Sequence, residues 1–319
     1  MTMTETSPAG NQRATERLPA LVRQALAPAP DLQAAQAFTR ELAHSHYENF
    51  SVVTILVPRS LRQDFCNVYA FCRVADDLGD ELADRDLSFR SLAQFADQTR
   101  ACYAGESVSN VFVALAQTIA RHDIPIKPFL DLIDAFEQDQ RIARYETFDQ
   151  LMDYCRRSAD PVGRLVLYMC GYRDAERQRL SDKTCTALQL ANFWQDVRRD
   201  IDDRDRIYLP RETMTRFAVT EEQIRAHRCD DNYRQALHFE VDRTAKLFDE
   251  GEALLPLLRS DVRGQIGLFA KGGRAVLDAI RRQDYDTLTA RPALSKWQKG
   301  RLLLAATLGR FIPGGGGRP

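Results

Sequence analysis

Helical periodicity dominates this 319-residue chain from about residue 30 onward. Apolar residues recur at helical spacings, and no stretch shows the strict apolar–polar alternation of a strand between hairpin signals. Prolines and glycines separate the periodic stretches, as at Pro58, Pro128 and Gly171. The pattern predicts an all-α protein, with helices at 32–47, 60–82, 89–104, 110–122, 128–144, 148–170, 182–202, 221–227, 232–256, 263–282 and 294–310.

No linker rich in proline, glycine or serine divides this helical array, so we expect one helical domain over residues 31–312. Residues 1–30 are rich in threonine, alanine and proline and lack the apolar core of a signal peptide. We expect a disordered N-terminal extension there. The glycine-rich residues 313–319 are expected to form a flexible tail.

Composition limits the class of protein and its location. The formal net charge of -1 lacks the positive excess of a nucleic-acid-binding protein, so no nucleic-acid partner is expected. Seven cysteines without a Cys-x-x-Cys pair favour free thiols in a reducing cytoplasm. No apolar run reaches the about 20 residues of a membrane-spanning helix. Residues 296–310 are basic and amphipathic, which fits a last core helix or, alternatively, peripheral contact with the inner membrane surface.

Residues 69–81, with the sequence YAFCRVADDLGDE, form the first of two acidic segments. On a helix, one face carries the residues at i, i+4, i+7 and i+11 of this segment, which are Tyr69, Arg73, Asp76 and Asp80. The last two carboxylates are then about 6 Å apart along the helix axis. Both can therefore reach one cation.

Residues 189–200, with the sequence QLANFWQDVRRD, repeat this arrangement. A continuous helix brings four side chains with oxygen donors to one face, namely Gln189, Asn192, Asp196 and Asp200. Two carboxylates at about 6 Å repel by roughly 3 kcal/mol at an effective dielectric constant of about 20, so a cleft that gathers four of them needs cations. Hard oxygen donors favour Mg²⁺, which completes its shell with water and substrate phosphate. The two segments together predict a magnesium–diphosphate site.

Each acidic segment also has a simpler interpretation, as a solvated helix end with ion pairs at i,i+4. Arg73 then pairs with Asp76 or Asp77 instead of binding phosphate in a bidentate fork. Arg206 is likewise either a surface residue or a phosphate clamp. Matching donors on two separate helices favour the diphosphate site over this alternative.

With both segments in view, the chain resembles the squalene/phytoene synthase family from about residue 34 to residue 311. The resemblance rests on four stretches that match in order and spacing, which are 69–81, 154–163 (YCRRSADPVG), 189–200 and 206–210 (RIYLP). It implies a class I isoprenoid synthase fold, a single-domain helical bundle around a central cavity. The substrate class that it implies is a prenyl diphosphate.

The resemblance also implies which residues act. Two or three Mg²⁺ ions would be held by Asp76, Asp80, Asn192, Asp196 and Asp200. Catalysis would rest on the four aspartates of this set together with Tyr69. The diphosphate would lie near Arg73 and Arg206, and the substrate would also contact Gln189 and Tyr208.

Within the family, two stretches resemble the bacterial hydroxysqualene synthase branch of hopanoid biosynthesis, 46–50 (HYENF) and 192–196 (NFWQD). Phytoene and dehydrosqualene synthases usually carry Ser-x-Ser-Phe where this chain has residues 47–50, and Arg-Asp where it has Gln195 and Asp196. The branch implies that presqualene diphosphate ionises, that water captures the cation, and that hydroxysqualene is released. No nicotinamide cofactor is expected.

Further residues follow from this branch as hypotheses. Tyr47 or Asn49, which stand where relatives carry serine, would position the water. Aromatic rings attract a carbocation through their negative faces. The rings expected to shield it are Phe50, Phe71, Phe193 and Trp194, each of which could instead be core.

Three alternatives stay open on the sequence alone. The chain could condense two farnesyl diphosphates to presqualene diphosphate or dehydrosqualene, or two geranylgeranyl diphosphates to phytoene. It could also be a non-catalytic helical protein whose acidic segments only bind cations or a partner. Other enzymes of the squalene pathway are a further class of expected partner.

Overall fold

The computed structural model describes residues 18–45, 58–82 and 84–293. These residues form helices and no β-strand, so the expected all-α class is confirmed. The first six helices are α1 (Ala20–Leu26), α2 (Leu32–Ser45), α3 (Arg62–Asp80), α4 (Arg85–Tyr103), α5 (Asn110–His122) and α6 (Lys127–Asp139). The next eight are α7 (Phe148–Ser158), α8 (Asp160–Met169), α9 (Ala175–Gln195), α10 (Val197–Arg204), α11 (Arg211–Arg216), α12 (Glu221–Arg225), α13 (Asp231–Glu252) and α14 (Ser260–Arg282). Short 3-10 helices span Arg59–Leu61 and Leu255–Leu257.

The described residues divide into two compact units. The first contains α1 to α6 and the second contains α7 to α14. The single domain expected over residues 31–312 stays a prediction.

In the first unit, α3 contacts each of the other five helices. Its Phe71 is fully buried, with ring centroids 4.9 Å from Phe95 on α4 and 4.8 Å from Phe129 on α6. The buried side-chain amide of Asn67 adds hydrogen bonds to this apolar packing. It donates to the Ala114 carbonyl and to Thr118 Oγ1 on α5, both at 3.0 Å. Burying such an amide without partners would cost free energy, so these bonds fix the rotation of α3.

In the second unit, α9 contacts α7, α8, α10, α13 and α14. Trp194, near its end, is fully buried and donates from Nε1 to Thr244 Oγ1 on α13 at 2.8 Å. The helix begins at Ala175, where the Asp174 side chain accepts from the Arg177 amide at 3.0 Å. This N-cap satisfies one of the amides that a first turn leaves without a helical partner.

Within the described residues the predicted helices occur where expected, but several boundaries were wrong. The stretch 148–170 is two helices, because Pro161 has no amide hydrogen to continue a helix from α7 and its ring crowds the preceding turn. The stretch 182–202 begins seven residues earlier, at Ala175, and breaks at Asp196. Helix α11 was not predicted, since six residues are too short to show a periodic pattern. The expected helix 294–310 lies outside the described residues.

The expected disorder of residues 1–30 is wrong for part of that segment. Residues Ala20–Leu26 form α1, in which Val22 and Ala25 are fully buried. The chain after α1 is also bonded, because the Ala29 amide donates to the Val108 carbonyl at 2.8 Å. Tertiary contacts therefore order a segment whose composition is typical of disorder.

None of the helices in the described residues is both long and apolar enough to cross a membrane. All seven cysteines fall within these residues and are free.

Alanine substitutions at two adjacent glycines on α14 are expected to change the free energy of unfolding in opposite directions. A Cβ at Gly273 would press into the buried Phe248 ring and lie 2.8 Å from Leu188 Cδ2, whereas one at Gly272 would meet no atom within 4 Å. We expect Gly273→Ala to lower the free energy of unfolding by about 1–3 kcal/mol through overpacking. Gly272→Ala should raise it by up to about 1 kcal/mol, because alanine favours the helix. Urea denaturation of both variants tests this, and shifts of the same sign would contradict it.

Candidate active site

The first acidic segment lies on α3, of whose 19 residues twelve are buried. The four residues predicted to share a face are all outside that buried set: Tyr69, Arg73, Asp76 and Asp80. Each is partly accessible, while the apolar residues between them face the core of the first unit. The structure therefore places these four side chains at partly accessible positions of a helix that is otherwise mostly buried.

Arg73 is the charged centre of this face. Its Nη2 lies 2.5 Å from Asp77 Oδ1, and its Nη1 lies 3.6 Å from Asp76 Oδ2. Burial alone would lower the pKa of Arg73, but the carboxylates of Asp77 and Asp76 outweigh it and raise that pKa above its ordinary value. The structure thus shows the ion pairing of the simpler interpretation, with the buried Asp77 as the nearer partner. Diphosphate binding by Arg73 remains a prediction.

The second acidic segment spans the junction of α9 and α10. The expected continuous helix breaks at Asp196, which has φ -106° and ψ 15°. The four-residue spacing nevertheless survives the break, because the Asp196 amide donates to the Asn192 carbonyl at 2.9 Å and the Asp200 amide donates to the Asp196 carbonyl at 2.8 Å. These backbone hydrogen bonds keep Asn192, Asp196 and Asp200 about one helical turn apart from one to the next.

Burial differs sharply along this second segment. Asn192 is exposed, Gln189 and Asp196 are half-buried, and Asp200 is buried with 9% of its surface exposed. Burial first and the nearby charge of Asp196 second raise the pKa of Asp200 to about 7, against a smaller opposing effect of nearby arginines that include Arg206. The ionised form of Asp200 is therefore disfavoured here unless more positive charge lies beside it.

Arg206 is brought to Asp200 by a turn in the left-handed backbone region. Asp205 there has φ 52° and accepts from Arg144 Nη2 at 2.9 Å and from Arg225 Nη2 at 2.5 Å. Beyond the turn, the Arg206 amide donates to the Asp200 carbonyl at 2.9 Å. Arg206 itself is buried, with 9% exposed. It is therefore not the surface arginine of the simpler interpretation.

The donor set of the second segment fits Mg²⁺ on its chemistry. The carboxylates of Asp196 and Asp200 are close enough for one to raise the pKa of the other, and a divalent cation between them would remove that repulsion. No group of three or more His, Cys, Asp or Glu side chains is arranged as a metal site within the described ranges. Mg²⁺ typically takes one or two carboxylates and keeps water or phosphate as its other ligands.

Aromatic rings pack beside the second segment. Tyr208 stacks on Phe193 with centroids 3.7 Å apart and planes 8° apart, and Tyr145 and Tyr154 lie 5.8 Å and 6.2 Å from Tyr208. All four rings are at least 93% buried. Sequence reasoning named Tyr208 and Phe193 but not Tyr145, which lies in none of the matched stretches, and it quoted Tyr154 only as part of a motif.

Two of the four expected aromatic walls are corrected by the structure. Phe71 and Trp194 have no exposed surface and fill the interiors of their units, so neither lines a cavity that water can enter. Phe193 keeps 6% exposure, within the stack described above. The predictions for Tyr47, Asn49 and Phe50 fall outside the described residues.

Sequence reasoning missed Arg291, which binds the second segment from the stretch after α14. Its guanidinium donates from Nε to Asp196 Oδ1 and from Nη2 to Asp196 Oδ2, the latter at 3.0 Å. Nη2 also donates to Gln195 Oε1 at 3.1 Å. The partners are 95 residues apart, so no local pattern could have revealed the contact.

Comparison with known proteins gives the family. The family model for squalene/phytoene synthase matches residues 43–298. Among curated relatives, a 15-cis-phytoene synthase of Synechococcus elongatus is 29% identical over 295 residues, covering 89% of this chain and 95% of the relative. A phytoene synthase of Thermus thermophilus is 33% identical over 279 residues, covering 86% and 93%.

Solved structures agree. Squalene synthase HpnC from Alicyclobacillus acidocaldarius is 47% identical with a TM-score of 0.76, covering 86% of this chain and 99% of that one. A dehydrosqualene synthase in complex with ligand is 27% identical with a TM-score of 0.78, covering 87% and 96%. The all-α fold is thus that of class I isoprenoid synthases. The chain belongs to the squalene/phytoene synthase family.

Proposed function

We propose that this protein is a Mg²⁺-dependent enzyme that converts presqualene diphosphate to hydroxysqualene and releases diphosphate. The observation that carries the proposal is the 47% identity to squalene synthase HpnC over 99% of that chain, against 27–33% for the phytoene and dehydrosqualene synthases described above. The local likeness of residues 192–196 to the hydroxysqualene synthase branch points the same way.

In this proposal, residues of both acidic segments bind Mg²⁺. Asp76 and Asp80 would act from α3, and Asn192, Asp196 and Asp200 from the α9–α10 junction. Bound Mg²⁺ would supply a Lewis acid for the departing diphosphate. The pKa of Asp200, raised to about 7 by burial and by Asp196, supports a demand for positive charge at this position.

The protein's own cations and rings would act on the rest of the substrate. Arg206, buried beside Asp200, would donate to diphosphate oxygens, where a guanidinium can make two parallel hydrogen bonds. The stacked pair of Phe193 and Tyr208 would offer an apolar, electron-rich surface to the carbocation. Tyr69, Gln189 and Arg73 are proposed to contact substrate as well, and each of these residues is partly exposed.

Product analysis tests the proposal. Purified full-length protein with Mg²⁺, and without nicotinamide, is incubated separately with presqualene diphosphate and with farnesyl diphosphate. We expect hydroxysqualene and diphosphate from presqualene diphosphate, and no C30 product from farnesyl diphosphate. Release of diphosphate without an alcohol product would contradict capture by water.

A second candidate is condensation of simple prenyl diphosphates, because the curated relatives described above are phytoene synthases. In the same assay, presqualene diphosphate or dehydrosqualene from farnesyl diphosphate, or phytoene from geranylgeranyl diphosphate, would replace the first proposal by this one. No turnover of any of these substrates would favour the non-catalytic alternative. Peripheral membrane contact and association with other enzymes of the pathway stay predictions.

A further inference from the structure

Arg291 occupies both carboxylate oxygens of Asp196. Nη2 of the guanidinium donates to Oδ2 at 3.0 Å, and Nε donates to Oδ1. This is the fork geometry in which a planar guanidinium matches a carboxylate with two parallel hydrogen bonds. Asp196 is only 19% exposed at its side chain, so water competes weakly for these oxygens. A cation that approaches Asp196 therefore meets oxygens that already accept from Arg291, beside a guanidinium whose positive charge repels it.

Gln195 holds Arg291 in this position. Its Oε1 accepts from Arg291 Nη2 at 3.1 Å, and its Nε2 donates to the Pro292 carbonyl at 2.6 Å. The residue is buried, with 6% exposed. An amide suits the task because it has both a donor and an acceptor, whereas a side chain with donors only or acceptors only could make one of the two bonds.

The backbone that carries Arg291 is itself fixed. Arg198 Nη1 donates to the Thr289 carbonyl at 2.8 Å, and the Asp286 side chain accepts from the Thr289 amide at 3.0 Å. Gln283 Nε2 donates to the Ala290 carbonyl at 2.6 Å. The segment before Arg291 is thus bonded at Thr289 and Ala290, so the guanidinium reaches Asp196 from a preorganised support.

The arginine of the first acidic segment, Arg73, is placed differently. Arg73 lies 3.6 Å from Asp76 and closer, at 2.5 Å, to the buried Asp77. Its nearer partner is therefore Asp77, which is not among the predicted metal ligands.

We propose that Gln195 is a positioning residue that holds Arg291 on Asp196, so that Mg²⁺ must displace Arg291 to bind this carboxylate. The inference rests on the proposed function, which makes Asp196 a metal ligand. In the metal-free protein, Arg291 supplies the positive charge at Asp196. Metal affinity in the absence of substrate is lowered by the strength of this pair.

The test is calorimetric titration of Mg²⁺ into the full-length, substrate-free protein. Arg291→Met removes the competing charge, and we expect it to bind Mg²⁺ about three- to tenfold more tightly, on the scale of a partly exposed but forked ion pair. Gln195→Met keeps the charge and removes its tether, and we expect about two- to threefold tighter binding, because one or two hydrogen bonds that support the fork are lost. A merely structural role of Gln195 would leave Mg²⁺ binding unchanged or weaken it.

Arg199→Met is the matched control. Arg199 is exposed and lies on α10, three residues after Asp196. It pairs with Asp203 and, within the described part of the chain, makes no hydrogen bond to Asp196. It reports the effect of losing one nearby positive charge, and an increase in affinity as large as that of Arg291→Met would overturn the inference. Thermal unfolding of each variant checks that it is folded.

The outcomes separate the two proposals. Tight binding in Arg291→Met, with a smaller gain in Gln195→Met, supports the inference. Unchanged or weaker binding in both variants, with Mg²⁺ still bound by the unmodified protein, overturns the inference and leaves the proposed metal site intact. No Mg²⁺ binding to any of the proteins, with substrate present or absent, overturns the metal role itself and the inference with it.

Discussion

Replacing Asp196 by asparagine is expected to lower turnover of presqualene diphosphate by about a hundred- to a thousandfold, the usual cost of losing one charge-stabilising group of an active site. The amide keeps the shape and one oxygen of the carboxylate but loses the charge that would hold Mg²⁺. Asp76→Asn should have a comparable effect from α3. The measurement is steady-state diphosphate release at saturating substrate and Mg²⁺.

Matched controls lie close to each position. Asp203 is on α10, exposed, and paired with Arg199, so Asp203→Asn removes one carboxylate from the same helix without touching the predicted ligands. Glu81→Gln does the same at the end of α3, where Glu81 is exposed. We expect both controls to stay within about threefold of the unmodified enzyme, as surface substitutions usually have small effects. Full activity in Asp76→Asn and Asp196→Asn would sink the mechanism with two acidic segments.

The helical class could be predicted because the spacing of apolar residues reports it directly. The same spacing also grouped Tyr69, Arg73, Asp76 and Asp80 on one face of α3, and all four are partly accessible in the structure. Local pattern was sufficient wherever one helix determined the geometry. At the second segment it predicted a continuous helix, which the structure breaks at Asp196, although the backbone hydrogen bonds from Asp196 to Asn192 and from Asp200 to Asp196 keep the helical spacing.

What could not be predicted depends on contacts between distant parts of the chain. The break at Asp196 coincides with side chains bound by Arg291 and Pro292, almost a hundred residues away. The burial of Arg206 depends on the left-handed Asp205 and on its partners Arg144 and Arg225. The sequence alone allowed two roles each for Arg73 and Arg206, and only the tertiary structure shows the neighbours and the burial of each side chain.

The surroundings of the aromatic residues could not be predicted from the sequence either. Phe71 and Phe193 both lie within an acidic segment of the sequence, yet Phe71 has no exposed surface, whereas Phe193 keeps 6% exposure and stacks on Tyr208. Their neighbours along the chain are similar in character. The difference arises from the helices packed against them, which a single sequence does not specify.

Asp160 predicts a large dependence of stability on pH. It is 3% exposed at the start of α8, and its Oδ1 accepts from Thr186 Oγ1 at 2.8 Å. An acid in a first helical turn would normally be stabilised as the anion. Here burial first and the charge of Asp182 second raise the pKa of Asp160 from 3.8 to about 7. The folded protein therefore holds a proton that the unfolded chain releases near pH 4.

The direction of the effect follows from proton linkage. A raised carboxyl pKa favours the folded state fully below the unfolded pKa, and this contribution is lost as pH rises through about 7. Asp160→Asn keeps the acceptor for Thr186 and cannot ionise. Relative to the unmodified protein, its free energy of unfolding should therefore rise by up to about 4 kcal/mol between pH 4 and pH 8. Urea denaturation across this range measures the difference.

Asp153→Asn is the control for this pH series, because Asp153 is exposed on α7 and paired with Arg156 and Arg157. Its difference from the unmodified protein should change by less than about 1 kcal/mol over the same range, as expected for an exposed ion pair. A gain from Asp160→Asn that is independent of pH would mean that the amide packs better, and would contradict a buried proton. A gain that grows with pH in Asp160→Asn alone would establish that α8 is anchored by a neutral carboxyl group, and that the second unit is weakened when Asp160 ionises.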